Sequence, residues 1–294
     1  MSIKKYTNHS SKGNKYESDY CDIVYFPGDS ITSLRDSYHS EMIPDFIQDL
    51  LLHIPDSIDR KIINQCPELF SWTCNNDYFI RPNIPKYQQD DLLTDFGSSW
   101  RRNNELHLIA WYIPSVLYPS IMTFFDKNHR LSNKKIFEVE RNINHEFLAT
   151  PLDLEPRHLC SLTALRSLVL NELQNTYGLK DPNVARLYFH IYNMPEYASL
   201  HLQIRYNTTL HPAEEPRTFD LDQVIDWLSE GRSVLECLAD ENRKAYFFEG
   251  DNPNLMRYLE KVPGSITYRG VENPFKKRRS SHFVHSQVNA MSNT

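Results

Sequence analysis

From Ser199 to Tyr206 the chain reads Ser-Leu-His-Leu-Gln-Ile-Arg-Tyr, and this alternation constrains the fold more tightly than any other stretch. Side chains on a β-strand point to opposite faces in turn. A strand here sends Leu200, Leu202, Ile204 and Tyr206 to one side and Ser199, His201, Gln203 and Arg205 to the other. The first set belongs in a core. The second is a row of small and polar groups around one imidazole, which a strand carries when something polar sits over it. His201 is therefore the first candidate for chemistry.

The neighbouring segments fit a strand packed under a helix. Leu154-Glu155-Pro156 opens a helix with proline near its first turn, and Leu159, Leu162, Leu165, Leu168, Val169 and Leu173 share one stripe that ends at Gly178. A strand over 185–192, a turn at Pro195 and the strand over 199–207 make a hairpin whose apolar face that helix can cover. Helices are also expected over 222–229, stopped by Gly231, and over 254–261, with an aromatic strand over 244–248 between them. Upstream, 21–27 reads as a strand closed by Pro27-Gly28, and 43–52 as a helix with a buried stripe. The pieces 69–72 and 77–80 are short and aromatic, and Pro114 and Pro119 break the apolar run 106–125 too often for one helix. The class this pattern predicts is α+β.

Four segments follow: a polar, disordered tail over 1–20, an N-terminal α+β domain over 21–150, a second domain over 151–270, and a basic, flexible tail over 271–294 that carries Lys276–Arg279. With 8 glycines and neither G-x-G-x-x-G nor a P-loop, a Gly-rich nucleotide fold is excluded. The net charge of −6 opposes broad nonspecific binding of nucleic acid but leaves room for a small basic pocket. The 5 cysteines are odd in number and form no C-x-x-C pair, so they read as reduced intracellular thiols rather than a zinc site. No metal or cofactor is expected. The N-terminus lacks an apolar leader and no run approaches about 18 apolar residues, which argues against secretion and against a membrane span.

The order of helix, strand ending in His190, Pro195-Glu196-Tyr197 and Ser199-Leu200-His201-Leu202-Gln203 resembles the histidine-triad proteins. More narrowly, residues 150–262 resemble the scavenger mRNA decapping enzymes, the m7GpppX diphosphatases. In that family a Leu-x-Pro-x-His-Leu phrase introduces the helix, matched by Leu154-Glu155-Pro156-Arg157-His158-Leu159. A strand ending in His and then Pro-Ser-Tyr-Tyr-His-φ-His-φ-His follow, φ being apolar. Arg243–Phe248 and Asp251-Asn252-Pro253-Asn254-Leu255 resemble its closing strand and its Asp-Pro-led helix. Tyr78–Tyr87 is similar, more loosely, to its cap-contacting Ile-Pro-Asp-Leu-Lys-Trp, with Asn83 for the Asp and Lys86 for the Lys.

The resemblance implies a histidine-triad domain over 151–270 and a smaller cap-binding and dimerisation domain over 21–150. It implies hydrolysis of residual m7GpppN caps after mRNA decay, releasing m7GMP through a nucleotidyl-histidine. The partner is a capped dinucleotide or short capped oligonucleotide, the assembly a homodimer or a heterodimer with a paralogue, and the setting the cytoplasm, the nucleus or both. His201 would be the nucleophile with Gln203 beside it, and His190, Tyr197, Ser199 and Arg205 would bind phosphate. Asn83 and Lys86 would contact the cap, and Trp72, Trp100 and Trp111 are candidates to stack on its cationic guanine.

The chain departs from the family at two of three triad positions, which hold Ser199 and Gln203. Glu196 stands where a phosphate-contacting Ser is expected. A carboxylate ~4 Å from a phosphate costs roughly 4 kcal/mol at an effective dielectric near 20. Two alternatives to a working hydrolase follow. One is a catalytically impaired, cap-binding or regulatory paralogue. The other is a nucleotidyltransferase or phosphorylase that uses a His-x-Gln pair.

Overall fold

The computed structural model describes residues 20–40, 71–72, 77–83, 106–112, 148–191, 199–207, 217–240, 245–248 and 253–272. The alternating stretch is strand β6 (His201–Tyr206), and it lies inside a six-stranded sheet. Its companions are β2 (Ser71–Trp72), β3 (Tyr78–Pro82), β4 (Leu106–Tyr112), β5 (Arg186–His190) and β7 (Thr218–Asp220), in the order β2-β3-β4-β6-β5-β7. All five pairings are antiparallel. A separate three-stranded sheet sets β1 (Tyr20–Phe26) between β8 (Ala245–Phe248) and β9 (Ile266–Glu272).

The register follows the hydrophobic pattern, since a slip of one residue would turn every side chain of a strand to the wrong face. Ala110 sits opposite Leu202 and Leu108 opposite Ile204, while Leu187 faces Ile204 and Phe189 faces Leu202 from the other side. Leu108, Ala110, Phe189, Leu202 and Ile204 belong to one buried cluster with Leu162, Leu165, Val169 and Leu173 of helix α2 (Leu159–Asn175). Those four residues recur at 3.6-residue spacing, and each contributes about 2 kcal/mol by leaving water. Val224 and Leu228 of α3 (Leu221–Ser229) and Cys237 and Leu238 of α4 (Val234–Asp240) extend the cluster. Helices α1 (Ile31–Ser40), which supplies Leu34, and α5 (Pro253–Leu259), which supplies Leu259, complete it.

The expected α+β class is what the described residues adopt. Helix α2 starts at Leu159, after two 3-10 turns over Pro151–Asp153 and Pro156–His158 that each begin with a proline. Pro156 thus opens a 3-10 turn rather than the helix itself. The helix expected over 43–52 lies outside the described residues, and α1, α4, β7 and β9 had no counterpart in the sequence reading.

The boundary at residue 150 does not separate the sheets: β4 pairs with β6, and β1 pairs with both β8 and β9. The reason is that β6 has two sides to satisfy. Leu108 and Ala110 continue its apolar face, and β4 takes up backbone hydrogen bonds that an edge strand would leave open. The strands also begin at Tyr20 and run to Glu272, one and two residues into the segments read as tails. Among the described residues no helix is long and apolar enough to cross a membrane.

Candidate functional site

The second face of the sheet is equally ordered. Residues directly opposite one another share a face, so His201 lies beside Trp111, Gln203 beside Ile109 and Tyr188, and Arg205 beside His107 and Arg186. Trp111, Ile109 and Tyr188 are buried yet stand outside the main apolar cluster. Imidazoles, amides and guanidinium groups are set among them.

His201 is 3% exposed. Its Nδ1–H donates to the backbone carbonyl of Ser199 at 2.7 Å. That bond fixes the neutral tautomer and leaves the lone pair on Nε2. Nε2 of His190 lies 3.3 Å from Nε2 of His201, the two rings at 86°. With no proton on His201 Nε2, His190 is the donor of this pair. Trp111 packs against His201 from the other side, ring centroids 4.4 Å apart.

Burial favours neutral imidazole throughout this cluster. It pulls His201 down to about 4, although the Ser199 carbonyl works the other way. It pushes His190 well below the ordinary value, with the charges of His201, Arg217 and Arg205 adding to the effect. Both rings carry a free base at neutral pH.

A second polar row runs alongside. His107 Nε2–H donates to Gln203 Oε1 at 2.5 Å. Asn83 Nδ2 lies 3.4 Å from His107 Nδ1 and 3.2 Å from its Nε2. Because the Nε2 proton goes to Gln203, Nδ1 is the acceptor for Asn83. Burial, then the neighbouring Arg205, hold His107 at about 4. Arg205 itself keeps a buried Nε with no hydrogen-bond partner among the described residues, and Ser199 Oγ is in the same condition. Arg186, opposite Arg205, is engaged: it pairs with Asp220 at 3.0 Å and lies over the Tyr188 ring at 5.2 Å. Buried donors without acceptors are costly and call for an explanation. A bound anion would supply one.

Of the residues singled out from sequence, the sheet brings His190, His201, Gln203 and Arg205 onto one face, with Ser199 tied to His201 through its carbonyl. Asn83 joins the same assembly through His107. Tyr197, Glu196, Lys86 and Trp100 lie outside the described residues, as does the side chain of Trp72. His107 was missed. A histidine amid Leu106–Tyr112 was the available signal, hidden in a run read only for its hydrophobicity. Among the described residues no group of three or more His, Cys, Asp or Glu is placed to hold a metal ion. A cleft of about 880 Å³ lies between α2, α3 and β5, but none of the imidazoles lines it. Its arginines, Arg166 and Arg186, are paired with Asp222 and Asp220.

Compared with known proteins, the chain matches no family model and no curated protein.

Proposed function

We propose that this chain is a histidine-triad-like hydrolase of the scavenger decapping type, acting on the phosphoanhydride bridge of capped dinucleotides with His201 as nucleophile. The observation that carries this reading is the bond from His201 Nδ1–H to the Ser199 carbonyl at 2.7 Å, which leaves Nε2 unprotonated and facing His190. In the reaction Nε2 bonds to the phosphorus nearest the methylguanosine, and the bridging P–O bond breaks. The ring becomes cationic, and the Ser199 carbonyl stabilises that charge through the same hydrogen bond. The His190 Nε2–H, released from the lone pair it capped, turns to hydrogen-bond the departing phosphate oxygen, which leaves as an anion while His190 stays neutral. Water then attacks phosphorus, the P–N bond breaks, and 7-methyl-GMP leaves. Arg205 Nε and Ser199 Oγ, buried donors without partners among the described residues, are the groups offered to the phosphate oxygens.

A second reading has its own support. His201 is 3% exposed and Trp111 packs on its ring, an arrangement that suits a protein that binds the cap without turning it over. Turnover of methylated cap dinucleotide by the full chain, beside His201→Ala and with binding recorded in parallel, separates the two. Hydrolysis that disappears in the variant supports the nucleophile. Binding without turnover supports the second reading, and a need for inorganic phosphate would move the reaction to a phosphorylase. No binding would overturn both readings.

A further inference from the structure

We propose that His107, steadied by Asn83, is a positioning residue that holds the Gln203 carboxamide with its Nε2 hydrogens turned toward the phosphoryl group received by His201. This rests on the hydrolase reading and extends it to a residue on another strand.

The two ends of a glutamine amide have nearly the same shape and opposite polarity. A glutamine beside the nucleophile can therefore present its oxygen to a phosphate as easily as its hydrogens, and the oxygen would repel it. His107 removes that choice. Its Nε2–H, 2.5 Å from Gln203 Oε1, is satisfied only by the oxygen end. The amide hydrogens are then the end left for a ligand.

His107 needs its own proton held on Nε2 rather than Nδ1. Asn83 Nδ2 lies 3.2 Å from Nε2 and 3.4 Å from Nδ1, and with the Nε2–H directed at Gln203 Oε1 the Asn83 amide N–H is left with Nδ1 as its acceptor. The row thus runs in one direction, from Asn83 to His107 to Gln203. It parallels the pair in which His190 donates to His201 at 3.3 Å. Burial and the adjacent Arg205 keep His107 neutral near pH 7, so Nδ1 remains an acceptor. The backbone makes the arrangement rigid. Asn83 follows β3, its N–H bonding to the His107 carbonyl at 2.9 Å, and His107 sits on β4 opposite Arg205, one pleat along from Gln203.

A residue that merely filled space would tolerate an apolar ring of similar size. Kinetics of methylated cap dinucleotide hydrolysis by the full chain distinguish the two roles. His107→Phe should lower kcat about 100-fold with KM changed less than about threefold, the effect of a mispositioned group. His107→Gln, which retains an N–H donor, should recover at least about tenfold of that loss. Gln203→Glu accepts from His107 but offers no hydrogens, and should match His107→Phe. Unchanged kcat in His107→Phe, or no recovery in a folded His107→Gln, would overturn the proposal. Long-range ¹H–¹⁵N spectra of the unliganded protein keep the test independent of turnover. They should show neutral His107 protonated on Nε2, and a proton on Nδ1 instead would sink the idea even in an active enzyme. If the wild type hydrolyses nothing, the hydrolase reading fails, and these spectra still decide what orients Gln203.

Discussion

The Nε2 atoms of His190 and His201 lie 3.3 Å apart, on neighbouring strands and with their rings nearly perpendicular. Two imidazoles at that distance cannot both be charged. With the Ser199 carbonyl taking the Nδ1 proton of His201, the pair has one arrangement in which every proton is used: His190 donates and His201 accepts. The chain departs from a histidine triad along β6, yet β5 brings a second imidazole to the same nitrogen.

Stability should fall steeply in mild acid. His107 and His201 are each held at about 4 in the folded chain, against 6.5 for an exposed imidazole. Between those values the unfolded chain binds protons that the folded chain refuses, so the stabilisation is complete above pH 6.5 and disappears as pH falls toward 4. Linkage at pH 5 amounts to about 2 kcal/mol for each of the two, and His190 acts in the same direction. Denaturant unfolding at pH 7 and pH 5 measures the loss. In His201→Gln the difference between the two pH values should shrink by about 2 kcal/mol.

Catalysis should outlast the ordinary histidine range. A nucleophile pulled down to about 4 keeps its lone pair at pH 5. The acid limb of kcat/KM for cap dinucleotide should therefore fall near pH 4 and not near 6.5, the value of an exposed imidazole. A limb at 6.5 would mean that a solvated histidine, not His201, controls the reaction.

Arg205→Met should separate binding from folding. Its Nε is buried without a partner among the described residues, so truncating the charge leaves no acceptor stranded there. Stability should stay level or rise, while affinity for the cap dinucleotide drops about 10- to 100-fold through the loss of a charge-assisted hydrogen bond. Arg205 also helps to hold His107 down, so in the variant His107 should titrate higher. Calorimetric binding and an NMR titration follow the two effects.

Gly231 and Gly264 share a φ of +80° but should answer alanine differently. A Cβ at Gly231 meets nothing within 4 Å, so Gly231→Ala should cost only the left-handed backbone, about 1 kcal/mol. A Cβ at Gly264 would collide with Cβ of Ser30, whose hydroxyl donates to the Pro27 carbonyl at 3.0 Å. Gly264→Ala should cost at least about 3 kcal/mol, the strain and the overpacking together. Paired melting curves test the contrast.

Much of the scaffold was legible from local pattern. Leu162, Leu165, Val169 and Leu173 announced a helix by their spacing, and the alternation through Leu200, Leu202 and Ile204 announced β6 and both of its faces. Other elements carried no such signal. β7 is three residues long, and β9 alternates little because much of it is exposed, so neither can be told from a loop by periodicity. His107 looked like an accident in an apolar run because its partner, Gln203, stands 96 residues further on.

The sequence by itself determined which side chains of β6 face a core and which face away, and that His201 is the imidazole at the centre of the polar row. Those properties depend only on the two-residue repeat of a strand. Which residues meet that row was decided by tertiary structure alone. Strand order put β4 and β5 on either side of β6, and only that order brings His190 to His201 and His107 to Gln203. The physical reason is that strands pair by burying compatible apolar faces and closing backbone hydrogen bonds, an outcome of the whole chain's packing that no local spacing records.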